Sequence, residues 1–256
     1  RREPRQLHSL VQNLLPRSGG QTSHANHGMR GALQAWLRSE TPWHKSTWTW
    51  GGVIVILHLV GSVGMLMGHA ETLLPLTPIN LTVNAAIVMA FSTHDSSWRW
   101  AFTMFLGFAV EVIGVTTGLL FGEYSYGTGL GPKVLEVPLL MGVLWWLLLL
   151  GTHHWCERGL HALGQDNRPV ARAAMSATLM TAMDWVIEPV AIRAGWWTWH
   201  EGDIPWTNYA TWWVAAFGLG LLWRDVEELK TNRLSGLLVC VFTLFLVLLN
   251  ILPWKL

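Results

Sequence analysis

Charge is scarce in this chain. Only 13% of its 256 residues are Asp, Glu, Lys or Arg, against roughly a quarter in soluble domains, while 51% are hydrophobic. The apolar residues run in long blocks rather than at amphipathic spacing, which excludes an ordinary soluble domain and indicates a polytopic membrane protein. No basic run is dense enough to argue for nucleic acid, and the net charge is only +1. The two cysteines, Cys156 and Cys240, offer neither a disulfide framework nor a CxxC pair. No Gly-rich phosphate loop, dinucleotide fingerprint or Ser-His-Asp arrangement occurs. The last apolar block holds no lysine, so a retinal Schiff base there is excluded.

What is present is a series of seven apolar segments, at about 48–67, 78–94, 98–120, 137–155, 169–192, 208–223 and 234–252. Their lengths suit a hydrocarbon core of roughly 30 Å. The expected fold is all-α, a membrane helical bundle of about seven transmembrane helices over residues 46–256. Residues 1–45 form a polar, Arg-rich leader with no cleavable signal pattern. Leu7, Leu10, Val11, Leu14 and Leu15 beside Arg1, Arg2 and Arg5 fit a short surface helix, and an unstructured or trimmed leader fits equally well. Fourteen of the 17 Lys and Arg residues fall on one side of these segments, Arg158, Arg168 and Arg172 of the fourth connection among them. Only Lys133, Arg193 and Lys255 fall on the other, so the N-terminus is expected to be cytoplasmic.

The stretch TAMDWVIEPVAIRAGWWTWHEGDIPW, 181–206, carries the unusual chemistry. Asp184 and Glu188 stand four apart, which puts both on one helix face. A carboxylate in mid-membrane costs roughly 2.5–3.5 kcal/mol, so two on adjacent turns require a polar face turned into the bundle. Pro189 and Gly195 are expected to end this helix. Glu111 lies in the third segment, where Gly107, Gly114 and Gly118 are spaced for close helix approach. The predicted orientation brings all three acids to one end of the bundle, with the loops 121–133 and 195–208. Like charges so close do not all ionise, so at least one acid is expected to stay protonated and able to donate. The structural alternative pairs the acids with each other or with Arg193.

Tyr124 and Tyr126 suit either hydrogen bonding near the acids or anchoring at the interface. Trp196, Trp197 and Trp199 adjoin the acids and suit a pocket for a flat conjugated ligand. Trp145, Trp146, Trp212 and Trp213 read as packing or lipid-facing. His153, His154 and Cys156 lie far from the acids without a further ligand, so no metal is expected. His58 and His69 are expected to find backbone or headgroup partners.

The runs TTGLLFGEYSYGTGLGPKVLEVPLL after Glu111, then DWVIEP, then GWWTW and DIPWTNYATWW, together resemble the integral-membrane carotenoid 1,2-hydratases, the CruF-type carotenoid biosynthesis proteins. The resemblance covers roughly residues 50–250. It implies addition of water to the terminal C1=C2 bond of an acyclic ψ end group, on lycopene, γ-carotene or a related polyene, without a cofactor. A carotenoid cyclase using the same protonation, and a non-catalytic carotenoid or lipid carrier, are the competing readings. The expected catalytic residues are Asp184, Glu188 and Glu111; the expected substrate-binding residues are Trp196, Trp197, Trp199, Tyr124, Tyr126 and Asn208. Membrane lipid and other enzymes of carotenoid synthesis are the expected partners, and the bacterial plasma membrane the expected location.

Overall fold

A computed structural model describes residues 46–92, 97–165, 168–223 and 232–254. Among the described residues seven long helices follow in order: α1 Thr47–Leu66, α2 Thr77–Ala90, α3 Ser97–Thr117, α4 Leu140–Ala162, α5 Pro169–Arg193, α6 Trp206–Leu222 and α7 Arg233–Ile251. A single helical turn, Ala70–Leu73, and a 3₁₀ turn, Leu74–Leu76, lead directly into α2. Each predicted apolar segment corresponds to one of these helices. Among the described residues four stretches are long and apolar enough to cross a membrane, Thr47–Leu66, Ala70–Ala90, Ser97–Thr117 and Arg233–Ile251. The other three helices fall short for visible reasons. The second half of α4 is the polar run GTHHWCERGLHA, α5 carries two acids, and α6 has only 17 residues.

The middle of α4 is buried on every side, from Trp145 through His154. A helix buried all round in this way belongs at the centre of a bundle. α3 packs on one side of it, and α7, which also carries α1, on another. Both neighbours come close because α4 has glycine at the contacts: a Cβ on Gly142 would strike the Met104 carbonyl, and one on Gly151 the Ser235 carbonyl. α5 packs most extensively on α6.

Several boundaries differ from expectation. The third segment ends at Thr117 because Gly118 takes a left-handed φ of 66°, so this glycine stops a helix instead of packing one. Gly107 and Gly114 do serve close contacts, against Trp145 and Phe121. Pro189 does not end α5; the helix runs through it to Arg193, and Gly195 turns the chain with φ 66°. Proline in mid-helix removes the bond to the Trp185 carbonyl and crowds that oxygen, at a cost of about 3 kcal/mol, and packing on α4, α6 and α7 holds the helix through it. Arg172, expected in a loop, sits buried in α5 and donates to Glu157 at 2.5 Å and to the Trp223 carbonyl at 3.1 Å. The leader 1–45 and the charges Arg224, Lys230 and Lys255 lie outside the described residues.

Four short strands were not expected. β1, Tyr124–Tyr126, pairs antiparallel with β4, Trp197–Trp199, in the register Tyr124↔Trp199 and Tyr126↔Trp197. β2, Lys133–Val134, and β3, Val137–Pro138, form a tight hairpin. Its turn residues Leu135 and Glu136 both have positive φ, 51° and 65°. A side chain in that region costs on the order of 1 kcal/mol relative to glycine. Glu136 is exposed, so Glu136→Gly is expected to stabilise the protein by about 0.5–1 kcal/mol, read as a rise of about 1–4 °C in thermal midpoint. A fall in midpoint would contradict the strain assigned to this turn.

Candidate active site

The β1–β4 ribbon is the device that assembles the site. Side chains alternate across a strand, so the triplets YSY and WTW turn four aromatic residues inward and Ser125 and Thr198 outward. Tyr124, Tyr126, Trp197 and Trp199 thereby face the acid-bearing ends of α3 and α5. Gly127 closes the ribbon, donating its N–H to the Trp196 carbonyl at 2.8 Å; any side chain there would strike the Gly195 carbonyl. Lys133 caps the arrangement from the neighbouring hairpin, its Nζ donating to the Tyr126 carbonyl.

Each acid is held differently. Glu111 accepts three hydrogen bonds: from Tyr124 Oη at 2.6 Å and Tyr126 Oη at 2.7 Å on Oε2, and from Trp145 Nε1 at 2.9 Å on Oε1. Glu188 accepts two on Oε2, from Trp197 Nε1 at 2.9 Å and Trp199 Nε1 at 3.0 Å. Asp184 accepts one, from Asn208 Nδ2 at 2.7 Å. All three carboxyls are 2% exposed, which is possible only because each has its donors. Burial, and the Glu111 carboxylate beside them, push the Tyr124 and Tyr126 phenols well above the usual tyrosine range. Both hydroxyls therefore remain protonated and serve as donors.

The three acids line one small cavity of about 20 Å³, with Asn208, Trp212 and Met141 completing walls otherwise made by the ribbon and Phe121. That is room for about one water molecule. Arg193 does not neutralise the acids; its guanidinium donates to the Leu249 carbonyl at 3.3 Å and lies 5.0 Å over the Trp254 ring. The Arg172–Glu157 pair is twelve residues before Asp184 on α5, about 18 Å along the helix. The site thus holds paired proton donors and acceptors beside a water-sized space, ringed by aromatic faces.

Of the expected site residues, Asp184, Glu188, Glu111, Trp197, Trp199, Tyr124, Tyr126 and Asn208 come together here. Trp196 stands apart: it lines an apolar groove of about 250 Å³ between α1, α2 and α7, behind α5. Sequence reasoning missed Trp145 and Trp212, which stack at 4.1 Å between centroids, the first holding Glu111 and the second walling the cavity. Nothing in their sequence positions sets these two apart in a chain with 18 tryptophans. His153 and His154 point to different neighbours, Gly220 on α6 and Gly236 on α7. Among the described residues no group of three metal-binding side chains is close enough to hold an ion. His58 donates from Nδ1 to the Ile54 carbonyl at 2.8 Å, a backbone partner as expected.

The sequence profile of the carotenoid biosynthesis proteins matches residues 65–256, three quarters of the chain and every residue of this site. The chain belongs to the carotenoid biosynthesis protein family. It is also 31% identical over 180 residues to the bisanhydrobacterioruberin hydratase of Haloarcula japonica, a match that covers 62% of this chain and 59% of that protein. The chain therefore spans less than two thirds of that relative's length. No solved structure matches it.

Proposed function

We propose that this family member is a carotenoid 1,2-hydratase, which adds water across the terminal C1=C2 bond of an acyclic ψ end group on lycopene, γ-carotene or a related polyene. The observation that carries the reading is the water-sized cavity walled by three buried carboxyls with unequal numbers of hydrogen-bond donors. Each donor favours the ionised form. Asp184, with one donor, is the acid that keeps its proton and delivers it to C2. The positive charge that results at C1, the more substituted carbon, meets the faces of Tyr124 and Trp199 and the Glu111 carboxylate. Water attacks C1 and gives up its proton to Glu188. Transfer of that proton from Glu188 to Asp184, one helical turn away, restores the starting state. The product is a tertiary alcohol, and the balance requires only water.

Hydration is favoured over cyclisation by the 31% identity to a bisanhydrobacterioruberin hydratase. It is favoured over a carrier role by the burial of three acids that no cation among the described residues neutralises. All seven long helices are taken as spans with the N-terminus cytoplasmic, in a bacterial plasma membrane. Membrane lipid and other carotenoid-forming enzymes are the partners, and the site works without a cofactor.

Expression in cells that make lycopene, followed by mass analysis of the pigments in ¹⁸O-labelled water, tests the proposal. A pigment heavier by one labelled water is expected. A product of unchanged mass would make the protein a cyclase, and oxygen drawn from dioxygen would make it a hydroxylase.

A further inference from the structure

The acid cavity holds about one water, and a branched alkene end group is several times larger. A long polyene can therefore reach the acids only if most of it lies outside and its end displaces one wall. The ribbon side is held by the β1–β4 pairing and by the hydroxyl and indole donors to Glu111 and Glu188. The α5–α6 seam is different. On its inner side stand Asp184, Glu188, Asn208 and Trp212. On its outer side, where Trp185, Tyr209 and Trp213 follow Asp184, Asn208 and Trp212 in sequence, lies an open groove of about 400 Å³.

That groove is lined by Thr178, Thr181, Ala182, Trp185, Tyr209 and Trp213. Half of these residues, Trp185, Tyr209 and Trp213, carry flat rings. Trp213 is fixed by donation from Nε1 to Thr178 Oγ1 at 3.1 Å and by stacking on Phe217 at 5.2 Å and 14°. Trp185 is 68% exposed although it neighbours Asp184, and Tyr209, next to Asn208, is within electrostatic reach of both Asp184 and Glu188. The groove of about 250 Å³ that holds Trp196 is larger in lining but lies on the other face of α5, where Val190 replaces the acids.

We infer that the conjugated arm of the substrate lies in the lipid-facing α5–α6 groove against Trp185 and Trp213, and that its end group enters past Tyr209 to Asp184. Conjugated polyenes are rigid and flat, so two aromatic walls grip them with little loss of freedom. Lateral entry also spares an apolar molecule any passage through water. This inference rests on the carotenoid reading of the site.

The test is retention of lycopene by the purified protein in lipid nanodiscs, measured by absorbance per protein, together with its hydration rate. Trp185→Ala, Trp213→Ala and the filling change Thr178→Phe are expected to lower retained pigment at least fivefold and to raise the KM for lycopene. Val83→Trp, which fills the groove behind α5, is the comparison and should leave retention within twofold of the unaltered protein. Pigment lost in Val83→Trp but kept in the three α5–α6 variants would overturn the inference, even with hydration intact. Because Trp185 is exposed, its truncation reads out the groove without depending on the fold. Pigment held in the α5–α6 groove by a protein that hydrates nothing would support the groove while refuting the hydratase.

Discussion

Asp184→Asn is expected to lower the hydration rate by about 10²–10⁴-fold, the usual share of a positioned general acid. The asparagine keeps the shape of the side chain, and its carbonyl still accepts from Asn208, so the helix pair α5–α6 should remain assembled. What it lacks is a transferable proton. Glu188→Gln is expected to slow turnover to a similar degree, since its amide oxygen can accept from Trp197 and Trp199 but cannot take a proton from water. The measurement is product formed per membrane-inserted protein, with insertion checked by yield and thermal midpoint. Turnover near the unaltered level in both variants, with normal midpoints, would leave the acids as structural groups and remove the basis of the mechanism.

The second large effect is on stability. Glu111 gathers two phenol hydroxyls and one indole N–H in a site closed to solvent. Glu111→Leu leaves all three donors without an acceptor. Each such group costs about 1–3 kcal/mol, so the loss is on the order of 3–9 kcal/mol, much of the roughly 5–15 kcal/mol that holds a typical protein folded. A fall of about 10 °C or more in thermal midpoint, and a sharp drop in yield, are expected. Glu111→Gln should be far milder, because one oxygen still accepts and the tyrosine hydroxyls can turn to accept from its amide. Equal midpoints for the leucine and glutamine variants would mean that the three hydrogen bonds do not support the fold.

These two residues illustrate what kind of information resides where. That Asp184 and Glu188 share a buried face was legible at once, because helical spacing and the cost of charge in an apolar segment leave few alternatives. The seven helices were legible for the same reason: long apolar runs dominate the chain, and their ends shifted, as at Gly118 and beyond Trp155. The ribbon was written in YSY and WTW as an alternation of aromatic and hydroxyl residues, but three residues are too few to outweigh a loop assignment. Only the pairing of segments some 70 residues apart, 124–126 with 197–199, gives them meaning.

By itself, then, the order of residues determined the helical class, the placing of three acids toward one end and the family resemblance, since each depends on local spacing or on hydropathy. The tertiary structure alone decided how many donors reach each acid, that Trp145 and Trp212 belong to the site while Trp196 faces away, and that the space between the acids fits a single water. Those are distances between segments remote in sequence. They are set by how helices pack and strands pair, which no window along the chain contains.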